Sequence, residues 1–301
     1  MLTGVTLTCF LFSYLTVWII ELFRFIRPFS YRHAIAVFGM LAGLLAHSIF
    51  LGNELLSEPS TRMLSSWFQW IVLGAWGMAV VCTILIVRNP ERSIGLFLLP
   101  MILALIGLAS AMKDSQPFAA QTAIDLWGQI HGVSLLLGTM FICQGLAFGV
   151  MYLLQSYRLK SKKRSGRLFQ LPALEFLRSM NRLNLFVSVV ALGVGLLSGV
   201  FLNLSRQGRV DWLSSGVLVS FALFIWVAVA AILEYSSKGS LGGRRSAYLS
   251  IANFVFLSVV LLLVFLASHG QADQEQNKAA EQKPSAQTST DIQRPVVGGG
   301  K

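Results

Sequence analysis

Long apolar runs, separated by short polar segments rich in arginine and lysine, repeat along the chain as far as about residue 270. The clearest is 127–155, WGQIHGVSLLLGTMFICQGLAFGVMYLLQ, which holds no charged residue. A hydrocarbon core of about 30 Å takes roughly 20 apolar residues in a helix, so this run is long enough to cross a bilayer. The same pattern predicts helices at about 3–23, 33–52, 67–87, 93–111, 127–155, 183–204, 213–235 and 247–268. Pro100 falls inside the fourth and predicts a kink there. The first run has no basic residue before it and Arg24, Arg27 and Arg32 after it. That is the reverse of a secretory signal peptide, so it is expected to remain as a span. Past residue 270 the pattern stops. Residues 271–301 are rich in Gln, Ala, Ser and Lys with few large apolar side chains, the composition of a disordered extracytoplasmic tail.

Eight spans put both termini on one side of the membrane, and the basic residues choose the side. Loops after the odd-numbered spans carry sixteen Lys and Arg, eight of them in 156–182, while loops after the even-numbered spans carry four. Basic residues are retained on the cytoplasmic side. The expectation is therefore an all-α polytopic membrane bundle over 1–270, of about eight transmembrane helices, N-out and C-out.

Composition agrees with that pattern: 55% of the residues are hydrophobic and 12% charged, about half the charged fraction of a soluble domain. The net charge of +11 resides in short segments between spans, so it reads as orientation signals and not as a nucleic-acid-binding face. Cys9, Cys82 and Cys143 all fall in apolar runs without CxxC spacing, which supports neither a disulfide framework nor a thiol relay. There is no CxxCH for covalent haem attachment. The absence of a Ser/His/Asp pattern, HExxH or a phosphate-binding glycine loop points away from a catalyst.

The candidate chemistry lies in four histidines placed by depth. His131 opens the fifth predicted span and His269 closes the eighth, both at the outer face. His33 starts the second span at the cytoplasmic face, and His47, fourteen residues on, lies about 21 Å further along the axis, in the outer third of the membrane. Ionisable residues at membrane depth are costly and suggest a site, and neutral imidazole is the commonest metal ligand. Each histidine taken singly is equally explained by a hydrogen bond to a neighbouring helix. Trp67, Trp70, Trp127 and Trp212 gather at the outer boundary, as aromatic walls for a flat ligand or as an interfacial belt. Gly39, Gly43 and His47 recur every four residues, a spacing that small-residue helix packing also produces. Arg206 and Arg209 in the third outer loop suit ligand carboxylates or lipid phosphate. Two imidazoles, apolar aromatic walls and arginines meet the needs of haem. A copper or zinc site is the other possibility, but no carboxylate or thiolate accompanies the histidines.

Four segments taken in order resemble the cytochrome c assembly protein family, the haem-handling membrane proteins of the CcsA/ResC type and their HemX-like relatives. They are GLLAHSIFL, WGQIHGVSLLLGTMFICQGLAFGVMYLLQSYRLK, LPALEFLRSMNRLNLFVSVVALGVGLLSGV and GGRRSAYLSIANFVFLSVVLLLVFLASHG. The resemblance covers about residues 33–270. It implies that His131 and His269 ligate the iron of non-covalent haem b at the outer face, the face where Trp127, Trp212, Arg206 and Arg209 gather, while His47, one span away and deeper, would serve a second, intramembrane position or helix packing. The family's tryptophan-rich WGxxWxWDPKE loop is replaced by SRQGRVDWLSSG, which keeps Gly208 and Trp212, and a further family histidine falls at about Glu234. The function implied is haem binding in cytochrome c maturation, as chaperone or assembly component in a bacterial-type cytoplasmic membrane. The partner would be apocytochrome c or another assembly protein of that membrane. A HemX-like regulator of tetrapyrrole synthesis is the alternative; a small-molecule transporter would require internal repeats or broken helices, and none is evident.

Overall fold

The computed structural model describes residues 4–23, 31–57, 64, 66–113, 126–161, 170–210, 212–236 and 242–281, without the side chains of 215 and 264–281. These residues form eight helices: α1 Leu7–Phe23, α2 Arg32–Ser57, α3 Trp67–Arg88, α4 Gly95–Ala111, α5 Leu126–Lys160, α6 Leu174–Gln207, α7 Ser215–Ser236 and α8 Gly242–Glu281. Six are long and apolar enough to cross a membrane. The other two, α1 and α4, have 17 residues each, about 25 Å, a little under a full hydrocarbon thickness. The protein is a polytopic helical membrane bundle, as the apolar pattern predicts. Helices prevail because every backbone N–H and C=O buried in lipid must be satisfied within the segment. Many large apolar side chains face outward, among them Phe38, Leu45, Phe186, Leu197, Ile232 and Val255, where lipid replaces water as their solvent.

By contacts the chain divides into Met1–Ser258 and Val259–Lys301. In the first unit, α1 to α4 close a ring in which each helix packs on the next and α4 returns to α1. Its register is antiparallel: Gly39 lies against Val17, Gly43 against Tyr14 and His47 against Phe10. The glycines of α2 thus serve the close approach of α1, the packing reading of that spacing. Pro100 inside α4 has no N–H for the Leu96 carbonyl, and the indole Nε1 of Trp18 on α1 donates to that oxygen at 3.3 Å.

Helices α3 and α5 run parallel, with Gly132 on Trp70, Gly74 on Leu136 and Gly77 on Met140. Helices α5 and α6 form the most extensive pair, antiparallel, with Gly199 on His131, Gly195 on Leu135 and Gly138 on Leu192. Gly193 of α6 meets Phe224 of α7, and Trp226 of α7 stacks on Phe256 of α8 at 5.1 Å. These registers put the loops after even-numbered helices at one end and the loops after odd-numbered helices at the other. At the latter end Arg32 donates to the Pro90 carbonyl, the Ser93 N–H to the Gln170 carbonyl, and the Arg92 guanidinium lies 5.3 Å from the Phe176 ring centroid. This is the end to which the sequence assigns most of the basic residues.

Several boundaries differ from the sequence expectation. Helix α6 starts at Leu174, not 183, because LEFLRSMNRL continues the helical stripe through Leu177, Asn181 and Asn184. Helix α5 runs to Lys160, so at 35 and 34 residues α5 and α6 are each about 50 Å long and outreach the hydrocarbon at the basic end. The expected loop 156–182 is correspondingly shorter. Helix α8 continues to Glu281, into the expected tail, through a stretch rich in the strong helix formers Ala, Gln and Glu. Residues 282–301 lie outside the described ones.

Candidate haem site and a buried histidine

His131 sits on the second turn of α5, on the face that packs against α6. Its Nδ1 is 2.7 Å from the Gly195 carbonyl oxygen. A carbonyl only accepts, so Nδ1 carries a proton, and Nε2 is the ring nitrogen left for other partners. Gly199, one turn beyond Gly195, makes room for the ring: a Cβ there would stand 3.0 Å from both Cε1 and Nδ1 of His131. One turn before His131, Trp127 stacks on Phe201 of α6 with ring centroids 4.8 Å apart, and remains partly exposed. The α5–α6 pair therefore gathers an oriented imidazole and an aromatic pair at the end opposite the basic loops.

Arg206 in the last turn of α6 and Arg209 just after it are exposed at that same end. Arg206 lies seven residues beyond Gly199, about 10 Å along the axis. The helix stops at Gly208, whose φ of 65° is a left-handed conformation open to glycine, with its N–H donating to the Leu204 carbonyl. Trp212, in the turn before α7, is 56% exposed, a belt position rather than a wall of an enclosed slot. His269 falls on α8 among residues whose side chains are not described, so its pairing with His131 lies outside the described structure.

His47 is in a different place from His131, inside the α1–α4 ring. It has no exposed surface. Its ring stacks on Phe10 at 4.0 Å and 4°, and Nδ1 is 3.4 Å from the Tyr14 hydroxyl, a long contact. Nε2 has no hydrogen-bond partner within geometric limits, although the Val72 backbone approaches the ring. Phe50 and Phe68 continue the aromatic packing toward the same end. Among the described residues no group of three or more His, Cys, Asp and Glu side chains is arranged to hold a metal ion. A single imidazole ligand of the kind His131 offers is compatible with haem iron.

The structure also buries polar residues that reading the sequence for histidine did not single out: Gln144 on α5, Asn181 and Asn184 on α6, and Asn253 on α8. Glu234 on α7, where the resemblance puts a histidine, is 1% exposed and within electrostatic reach of Arg178, Arg182 and Arg245. A lone carboxamide in an apolar helix was the available signal, since it too is costly at membrane depth. No protein family, curated protein or solved structure matches the chain.

Proposed function

We propose that the protein is a haem-binding, non-enzymatic component of cytochrome c maturation, embedded in a bacterial-type cytoplasmic membrane. The observation that carries this reading is His131: its Nδ1–H is held by the Gly195 carbonyl, which leaves Nε2 as the ligating nitrogen at an aromatic-lined end of α5 and α6. The order of the four resembling segments, which contain His47, His131 and His269, supports it. Haem is cargo in this reading, bound at the outer face by His131 and His269, with Arg206 and Arg209 at the same end as positive charge for its propionates. Without the tryptophan-rich loop, binding and handing on to a membrane partner suits the chain better than attaching haem to apocytochrome.

An absorption spectrum of the purified protein tests the reading directly. The wild type should show a Soret band, His131→Ala and His269→Ala should each shift it and retain less haem, and added imidazole should restore part of the loss. Wild-type haem content with an unchanged spectrum in both variants would overturn it.

A second reading, a membrane regulator of tetrapyrrole synthesis, is favoured by the α5–α6 hairpin that outreaches the bilayer at the basic end, a surface for a cytoplasmic partner. Gene deletion separates the two. Loss of holocytochrome c with normal haem supports maturation; altered haem precursors with normal cytochromes support regulation.

A further inference from the structure

The half of the bundle nearer the basic loops holds polar groups for which haem binding at the other end has no use. Asn181 and Asn184 on α6 and Asn253 on α8 are 1%, 3% and 3% exposed. Both polar atoms of Asn181, Nδ2 of Asn184, Oδ1 of Asn253 and Nε of Arg178 are buried without a hydrogen-bond partner. Buried polar groups in native proteins are almost always satisfied, and lipid supplies no partners, so orphaned atoms at this density call for an explanation.

The helix registers bring these groups to one place. Gly145 and Gly149 leave α5 bare, and α6 and α8 close on it. A Cβ at Gly145 would lie 3.7 Å from Ser250 Cβ and 4.0 Å from Asn184 Cβ; one at Gly149 would lie 3.3 Å from Ser250 Cβ. Asn253 is one turn from Ser250 toward mid-span, and Ser246 one turn toward the basic end. Ser246 lies beside Glu234 of α7, which is within electrostatic reach of Arg178, Arg182 and Arg245. Arg244 closes the same end by donating to Ser156 at 3.1 Å. The hydroxyls of Ser188 and Ser250 give their protons to the Asn184 and Ser246 carbonyls of their own helices and so donate nothing to the carboxamide oxygens. What results is a polar column from Asn253 in mid-span to arginines at the basic end.

Its chemistry is that of an anion site. Arg178, Arg182 and the exposed Arg245 lie within electrostatic reach of one glutamate, and beside the Asn181 and Asn253 carboxamide oxygens the unmet groups include three N–H donors, Arg178 Nε, Asn181 Nδ2 and Asn184 Nδ2. A carboxylate or phosphate accepts from such donors and offsets excess positive charge in a medium of low dielectric. The orphaned atoms are sealed from solvent in this conformation, so a ligand reaches them when α6 and α8 part. We propose that this column binds a carboxylate- or phosphate-bearing anion, admitted from the basic end of the bundle and excluded in the closed conformation. The proposal is independent of haem.

Cysteine accessibility tests it on the full chain with Cys9, Cys82 and Cys143 replaced, reconstituted in neutral phosphatidylcholine vesicles. From the basic side, 2-sulfonatoethyl methanethiosulfonate should modify Asn184→Cys and Asn253→Cys about tenfold faster than its trimethylammonium counterpart, the size of an electrostatic steering effect. Arg178→Gln should remove that preference. Ser250→Cys, a near-isosteric change, carries the same test if the asparagine variants fail to assemble. Protection by added succinate identifies a soluble anion as ligand, and protection by phosphatidylglycerol in the vesicle identifies a lipid phosphate. Equal rates for the two reagents, no modification, or protection by neither anion would overturn the proposal.

Discussion

The Nδ1 of His131 lies 2.7 Å from the Gly195 carbonyl oxygen, across the interface between α5 and α6. This hydrogen bond fixes both the tautomer and the ring plane, and Gly199 provides the space the ring occupies. A methyl group at Gly199 requires the ring to give by a few tenths of an ångström, and a branched side chain displaces it. For the proposed haem site, Gly199→Ala should therefore lower haem retention in part, and Gly199→Val should retain no more haem than His131→Ala. Haem-to-protein absorbance ratios of the purified variants check this order. A ratio in Gly199→Val equal to the wild type would mean that the ring position is immaterial.

Trp18 and Pro100 should be coupled, since the indole serves the carbonyl that the proline leaves without its helical donor. Trp18→Phe orphans Leu96 O in the ring and should destabilise by about 1–3 kcal/mol. In a Pro100→Ala background the restored backbone N–H takes over that oxygen, and the same change should cost less. A double-mutant cycle on denaturant unfolding in detergent measures the difference.

His47 and Tyr14 should differ in weight. His47→Ala empties a site with no exposed surface and loses the Phe10 stack, an expected cost of about 2–4 kcal/mol by analogy with large-to-small changes. Tyr14→Phe gives up a 3.4 Å contact and should cost under about 1 kcal/mol. Thermal unfolding of both variants checks the order. For the proposed outer haem site, His47→Ala should leave the spectrum unaltered, because the ring lies inside a separate group of helices.

Glycines on α5 and its neighbours should not be equally tolerant. A Cβ at Gly149 would stand 3.0 Å from the backbone oxygen of Ala247, which moves only if α8 moves, whereas at Gly77 the obstacle is the flexible Met140 methyl. Gly149→Val should destabilise by about 1–3 kcal/mol and Gly77→Ala by much less. Yield and melting temperature in a common detergent test the contrast.

Reporter fusions after Arg164 and after Lys278 should indicate opposite sides of the membrane, with the former cytoplasmic. The motive is the asymmetry of basic residues between odd and even loops. The same side for both would contradict the alternation of ends that the helix registers show.

Much of this molecule is determined locally. Each span satisfies its own backbone and meets lipid rather than a distant core, so apolar run length alone located the eight helices of the described residues and the basic residues alone separated the two ends. Sequence also pointed to His131, because an ionisable group at the end of an apolar run is conspicuous. It misjudged the start of α6, where LEFLRSMNRL is too polar to read as a span and becomes helical against its neighbours. Partnership was not legible. Which carbonyl holds His131, that His47 is enclosed by Phe10 and Tyr14, and that Asn184 and Ser250 converge on Gly145 depend on helices far apart in the chain. One helix face repeats every 3.6 residues whichever neighbour it meets, so periodicity carries no record of the neighbour; packing decides it, through the few small residues that let backbones come close.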